Sequence, residues 1–167
     1  YSVNDVTLTT QIMVTTLCPS SIEWKYSEAE KMARIKHVAI ATQDTDATAK
    51  FYVDGLGLEI VGKVNSVAAE GYYLTDGYIN LAVLKFKDDE AADTEGSPKH
   101  TGLHHFGFMV DGMDEAQKRI MGAGAKKKQS AITDANGMAR TGNVEVKFTG
   151  PDGITVDLSE TGWAGAP

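Results

Sequence analysis

The sequence predicts an α+β domain: two paired βαβββ modules forming a curved mixed sheet around a cavity. Three observations predict it. A strand–helix–strand–strand–strand pattern starts at Met32 and starts again after Thr101. Short marks recur between the copies. Lys36-His37-Val38-Ala39-Ile40 matches His104-His105-Phe106-Gly107-Phe108, and His37 and His105 lie 68 residues apart. Gly55 and Gly57 return as Gly122 and Gly124, and Asp76-Gly77 returns as Asp152-Gly153. Finally, the strands that open and close each copy pair an apolar face with a face of small or polar residues, which suits a sheet bordering a polar-lined cavity. Each copy is too small to bury a sheet face alone, so the two should pack as one unit.

Residues 1–31 read as an N-terminal extension, β-leaning at 6–9 and 11–14 and polar at 27–31. Residues 32–167 form the domain, with modules 32–90 and 101–162. In the first module, 34–42 alternates as a strand. Residues 44–52 predict a helix, with Asp44 or Thr45 as N-cap and Gly55 beyond its end. Residues 58–64, 71–75 and 79–86 predict three more strands. Residues 87–101, acidic and carrying Gly96 and Pro98, predict a linker. In the second module, 103–110 predicts a strand and 113–121 a helix. Residues 127–140, with Asn136-Gly137, predict a loop, and 141–148 and 154–158 the remaining strands.

Composition narrows the classes of function. A chain of 167 residues holds one domain or two very small ones. Its 42% hydrophobic and 23% charged residues exclude wholesale disorder. Lys and Arg number 16 against 23 Asp and Glu, a net charge of −7, which argues against a nucleic-acid or anionic-membrane partner. Lys126-Lys127-Lys128, the one basic cluster, reads as a solvated turn. The sequence has no long apolar run that would span a membrane and no secretory pattern. Cys18 is the single cysteine, so no internal disulfide forms, and a reducing, cytoplasmic setting is expected.

Strand parity then gathers a candidate site. His37, Ala39 and Ala41 share one face, as do His105, Gly107 and Met109, and Thr155, Asp157 and Ser159. Asn80 and Ala82 share the corresponding face of the strand closing the first module. Two neutral imidazoles and one carboxylate suit a borderline divalent ion such as zinc, nickel, cobalt, manganese or iron, with open positions for substrate. Asn80 is a fourth neutral ligand or a hydrogen-bond donor. Ala39 and Gly107 are small enough to leave room for a bound object beside each histidine. Parity turns His104 and Glu160 away, Glu160 being the rival to Asp157. Tyr73 and Tyr78, with Tyr72 and Trp163, offer stacking surfaces for a small-molecule substrate. Glu145, Glu59 and Glu70 are the nearest strand-borne acids; each reads as surface, and no general base is assigned.

His37-Val38-Ala39-Ile40, Thr48-Ala49-Lys50-Phe51-Tyr52 and Leu56-Gly57-Leu58 resemble the opening signature of glyoxalase I and the vicinal oxygen chelate superfamily. This superfamily also holds methylmalonyl-CoA epimerase, extradiol dioxygenases and bleomycin-resistance proteins. Gly102-Leu103-His104-His105-Phe106 resembles the family's second metal strand, and Gly150-Pro151-Asp152-Gly153-Ile154-Thr155-Val156-Asp157-Leu158 its closing strand. The resemblance implies metal ligands at His37, Asn80, His105 and Asp157. Glyoxalase I carries glutamate at the positions of Asn80 and Asp157, and the epimerase carries glutamine at the former. The late His and Tyr of extradiol dioxygenases have no counterpart in Asn143-Val144-Glu145-Val146-Lys147-Phe148. The expected function is a metal-dependent lyase or isomerase of the glyoxalase type, acting on a small oxygenated metabolite through a metal-stabilised enediolate. The alternatives are a non-catalytic, antibiotic-type binding protein and an extradiol-type dioxygenase. A homodimer is expected, because sheet edges need covering.

Overall fold

The computed structural model describes residues 33–88, 99–128 and 145–167. The N-terminal extension, most of the expected linker, the expected loop from 129 onward and the start of the expected 141–148 strand lie outside the described residues. The described strands are β1 (Arg34–Ala41), β2 (Glu59–Asn65), β3 (Ala69–Thr75), β4 (Asn80–Phe86), β5 (Gly102–Met109), β6 (Lys126–Lys127), β7 (Val146–Thr149) and β8 (Thr155–Ser159). Helix α1 spans Thr45–Leu56 and α2 spans Met113–Gly122.

The strands form one mixed sheet in the order β2-β3-β4-β1-β5-β8-β7-β6. Within each module the first strand pairs in parallel with the last, β1 with β4 and β5 with β8. The modules join where β1 runs antiparallel to β5. The order therefore reads alike from either end, which is the expected pair of βαβββ units.

Each helix covers the apolar side of its own module. Under α1, Ala49, Leu74 and Val83 are buried with Tyr52, Val53 and Leu81 against them. Beside α2, Ala116, Val110, Val146, Phe148 and Leu158 form the second core. On the other side of the sheet the buried hydrophobic residues are small in the middle: Ala39 and Ala82, with Ala69 and Leu84. That is the face of His37, Asn80, His105 and Asp157.

Two local expectations need correcting. Gly55 does not lie beyond α1; the helix continues through it, and Gly57 at φ 75° terminates it by donating to the Val53 carbonyl. A left-handed terminal residue favours glycine. Asp44 is the N-cap and accepts from the Ala47 N–H at 3.0 Å. Nor is the lysine cluster a solvated turn. Lys126 and Lys127 pair with Thr149 and Phe148 as the short edge strand β6, and Lys128 Nζ donates to Thr155 Oγ1 at 2.8 Å. The unpaired groups of β7 draw these lysines into the ladder despite their charge.

Candidate metal centre and its surroundings

Register sets the site. Thr75 pairs with Asn80, Asn80 with His37, His37 with Gly107, Gly107 with Asp157, and Asp157 with Lys147. These six residues make one row across the sheet, spanning both modules. His105 lies in the next row, opposite Ala39 and Thr155. A register shift follows Ala39, whose partner is His105, while Ile40 pairs with Leu103. His104 is the extra residue of this bulge.

Parity reasoning fails across a bulge, because two residues of one strand oppose one of the next. His104 consequently comes to its neighbour: His104 Nδ1 lies 2.7 Å from His105 Nδ1. Its ring also packs on Phe86, with centroids 4.5 Å apart. A cavity of about 490 Å³ adjoins this end, lined by Phe86, Gln43, Lys87, Lys99 and His100 among others.

The structure brings His37, His105, Asp157 and Asn80 together, all buried. His37 Nε2 and His105 Nε2 are 3.1 Å apart, and His105 Nε2 is 3.4 Å from Asp157 Oδ2. Asn80 Oδ1 lies 2.7 Å from His37 Nδ1, the nitrogen turned away from His105. Asn80 Nδ2 donates to the Ala164 carbonyl at 2.8 Å. That contact fixes the amide orientation, so His37 Nδ1 is the donor to Oδ1 and His37 Nε2 carries a lone pair. Asn80 thus orients His37 from the side of the ring turned away from His105.

Burial pushes the His37 imidazole down to about 4, working against the nearby Glu145 charge. Burial, and then the Lys147 ammonium, holds His105 well below the usual imidazole range. Both rings are therefore neutral near pH 7, the form that binds metals. Burial raises Asp157 to about 6, with Lys147 opposing the shift. Burial also works against the Lys147 charge, but Asp157 and Glu145 outweigh it and hold the ammonium above the usual lysine range.

Three residues of the site were not legible as such. Lys147 is ion-paired with Asp157, and its Nζ lies 3.5 Å from Glu145 Oε2. Glu145 accepts from Trp163 Nε1 at 2.6 Å. Trp163 stacks on His37, with centroids 4.9 Å apart and planes within 10°. A Cβ on Gly107 would sit 2.6 Å from the Trp163 ring and 2.8 Å from His37 Cβ. The space beside Gly107 is thus filled by the protein's own indole, correcting the expectation that a ligand occupies it. The alternation Glu145, Lys147 against Val146, Phe148 was the available signal, since it places both charges on the Asp157 face.

The other candidates separate. Tyr73 is half-buried on the site face, packed with Ala39 and Ala82. Tyr78 is 75% exposed in the β3–β4 turn and is not brought to the imidazoles. Glu160 caps α2, accepting from the Met113 N–H at 3.0 Å, whereas its rival Asp157 lies beside His105. Glu59 and Glu70 are exposed on β2 and β3; Glu70 pairs with Lys85 at 3.7 Å.

Among the described residues, no three His, Cys, Asp or Glu side chains stand ready-made as a metal site. The donors nevertheless suit an ion. Two neutral imidazoles meet through Nε2, and Asp157 Oδ1 is a buried acceptor with no hydrogen-bond partner among the described residues. Such an orphan calls for an unaccounted cation or donor.

Paired βαβββ modules with imidazoles at their junction define a duplicated, cavity-forming protein of the vicinal oxygen chelate class. The comparisons specify it. The family model Glyoxalase/Bleomycin resistance protein/Dioxygenase superfamily matches residues 34–158, and the chain belongs to that superfamily, whose members commonly bind divalent metals. It is 25% identical over 129 residues to the uncharacterized protein YwkD of Bacillus subtilis (strain 168), covering 75% of this chain and 95% of that protein. Its fold is similar to that of hypothetical protein BH1468 from Bacillus halodurans C-125, with TM-score 0.58 and 18% identity over 77% of this chain and 94% of the other. It is also similar in fold to a Streptomyces coelicolor methylmalonyl-CoA epimerase variant in complex with 2-nitronate-propionyl-CoA, with TM-score 0.57 and 21% identity, covering 75% and 95%.

Proposed function

We propose that the protein is a metal-dependent lyase or isomerase acting on a small oxygenated metabolite, with His37, His105 and Asp157 holding the ion. The observation that carries this reading is the meeting of two neutral imidazoles beside a buried carboxylate whose Oδ1 has no hydrogen-bond partner among the described residues. When bound, a divalent ion such as zinc, nickel, cobalt, manganese or iron would polarise a substrate carbonyl. The chain's own residues do the rest. Asn80 keeps the His37 Nε2 lone pair directed at the site. His104 Nδ1 accepts a hydrogen bond from the His105 Nδ1–H in the tautomer whose Nε2 carries the lone pair. Glu145, alone among the three candidate acids, reaches the site, where it accepts from the Trp163 indole and lies beside the Lys147 ammonium. Tyr73 and the cavity beyond Phe86 and His104 supply the apolar and polar surroundings of a small substrate.

A second reading is a metal-free binding protein, favoured by the Lys147 ammonium already paired with Asp157. Elemental analysis of protein prepared without chelators separates the two. The enzyme reading expects stoichiometric metal that His37→Ala loses, and turnover on a panel of α-keto thiol adducts, acyl-CoA epimers and catechols. Metal-free protein that binds a panel compound tightly without turnover would establish the binder instead. We further infer a homodimer from the β2 edge, where Ile60 is 53% and Val61 38% exposed; a monomeric mass by light scattering would refute it.

A further inference from the structure

The proposed mechanism leaves Lys147 unused. Its ammonium donates to Asp157 Oδ2, the same oxygen that lies 3.4 Å from His105 Nε2. A protonated lysine has no lone pair and cannot itself be a ligand. On that oxygen it neutralises the carboxylate charge an ion would use, and it would repel an ion placed there. A second carboxylate stands ready at the same ammonium: Glu145 Oε2 is 3.5 Å away. Glu145 is itself fixed, its other oxygen accepting from Trp163 Nε1, and Trp163 is buried against His37. Lysine's flexible four-carbon stem allows its head to move between the two acids without moving β7.

We propose that Lys147 is a tethered counter-cation that competes with the divalent ion for Asp157, and that Glu145 receives its ammonium when the ion binds. This rests on the metal reading of the site. Lys147 and Glu145 then set the metal affinity without being ligands. Lys147 holds Asp157 compensated while no ion is bound, so the buried acid always has a cation beside it.

Calorimetric titration of zinc and cobalt ions into chelator-stripped full-length protein tests the inference, at one pH and one salt concentration. Lys147→Met is expected to tighten binding roughly tenfold, and Glu145→Gln to weaken it by a similar factor. In the Lys147→Met background most of the Glu145→Gln effect should vanish, because no ammonium remains to be received. Lys147→Gln, a polar replacement, should tighten binding with the same sign if Lys147→Met folds poorly. Unchanged affinity in both lysine variants, or strictly additive effects in the double variant, overturns the exchange while leaving the metal reading intact. Binding by Lys147→Met but not by the unaltered protein supports the exchange. Absence of binding in every variant overturns the metal reading and the exchange with it.

Discussion

The two modules share an order of elements but divide the site's labour. The first contributes neutral groups held in place: His37, clamped by Asn80, which is in turn tied to the Ala164 carbonyl. Thr75 in the same row donates to the Gly165 carbonyl at 2.5 Å. The second contributes the charges: Asp157, Lys147 and Glu145 around His105. Register explains part of the difference. Asn80 stands directly opposite His37, whereas Asp157 stands opposite Gly107, two residues from His105. The duplicated acid position therefore falls into the row of the other module's histidine, and the site exists only where the halves meet.

Acid titration should break the balance most strongly. Below the usual 6.5, the unfolded chain protonates its histidines, whereas folded His37 resists down to about 4 and His105 resists still further. Stability is thus lost as pH falls from about 6.5 toward 4. Asp157, raised from 3.8 to about 6, acts in the opposite sense, because the folded state keeps a proton the unfolded chain releases. Two imidazoles outweigh one carboxyl, so urea unfolding should show a net loss on the order of 3 kcal/mol across that window. Asp157→Asn removes the counterweight and should steepen it. A flat profile would mean the imidazoles are not held neutral by burial.

Asn80→Leu should break the clamp of the first module. It leaves His37 Nδ1 and the Ala164 carbonyl without their partner, a cost of about 2 kcal/mol in denaturant midpoint analysis. A loss no larger than that of an exposed substitution would show that water or another group replaces the amide.

The helix caps sharpen the comparison with a smaller effect. Helix α1 is capped locally by Asp44, whereas α2 begins at Gly112 with no side-chain cap and borrows Glu160 from the end of β8. Asp44→Ala should cost about 1 kcal/mol, and Glu160→Gln only a few tenths, since the amide oxygen still accepts. Equal costs would place the two caps on the same footing.

The repeat, the strand faces and the glycine positions were legible because they are periodic, and the period of two carried His37, Asn80, His105 and Asp157 to one face correctly. What escaped depends on departures from period. His104 is turned inward by a bulge that only the pairing of β1 with β5 creates. Trp163 reaches His37 from a segment after the last strand, so no alternation could place it. Lys147 shares a parity with Glu145 that was readable, but its pairing with Asp157 depends on β7 lying beside β8. Long charged side chains on an edge-proximal strand ordinarily face water, which is why Glu145 reads as surface.

Trp163 has one more consequence. The chain holds two tryptophans, and this indole lies nearly parallel to the His37 imidazole. Its light emission is therefore coupled to whatever electronic state that imidazole adopts. The protein carries an optical gauge of its own interior, readable without dye or label, with Trp24 of the N-terminal extension as the second emitter to be subtracted.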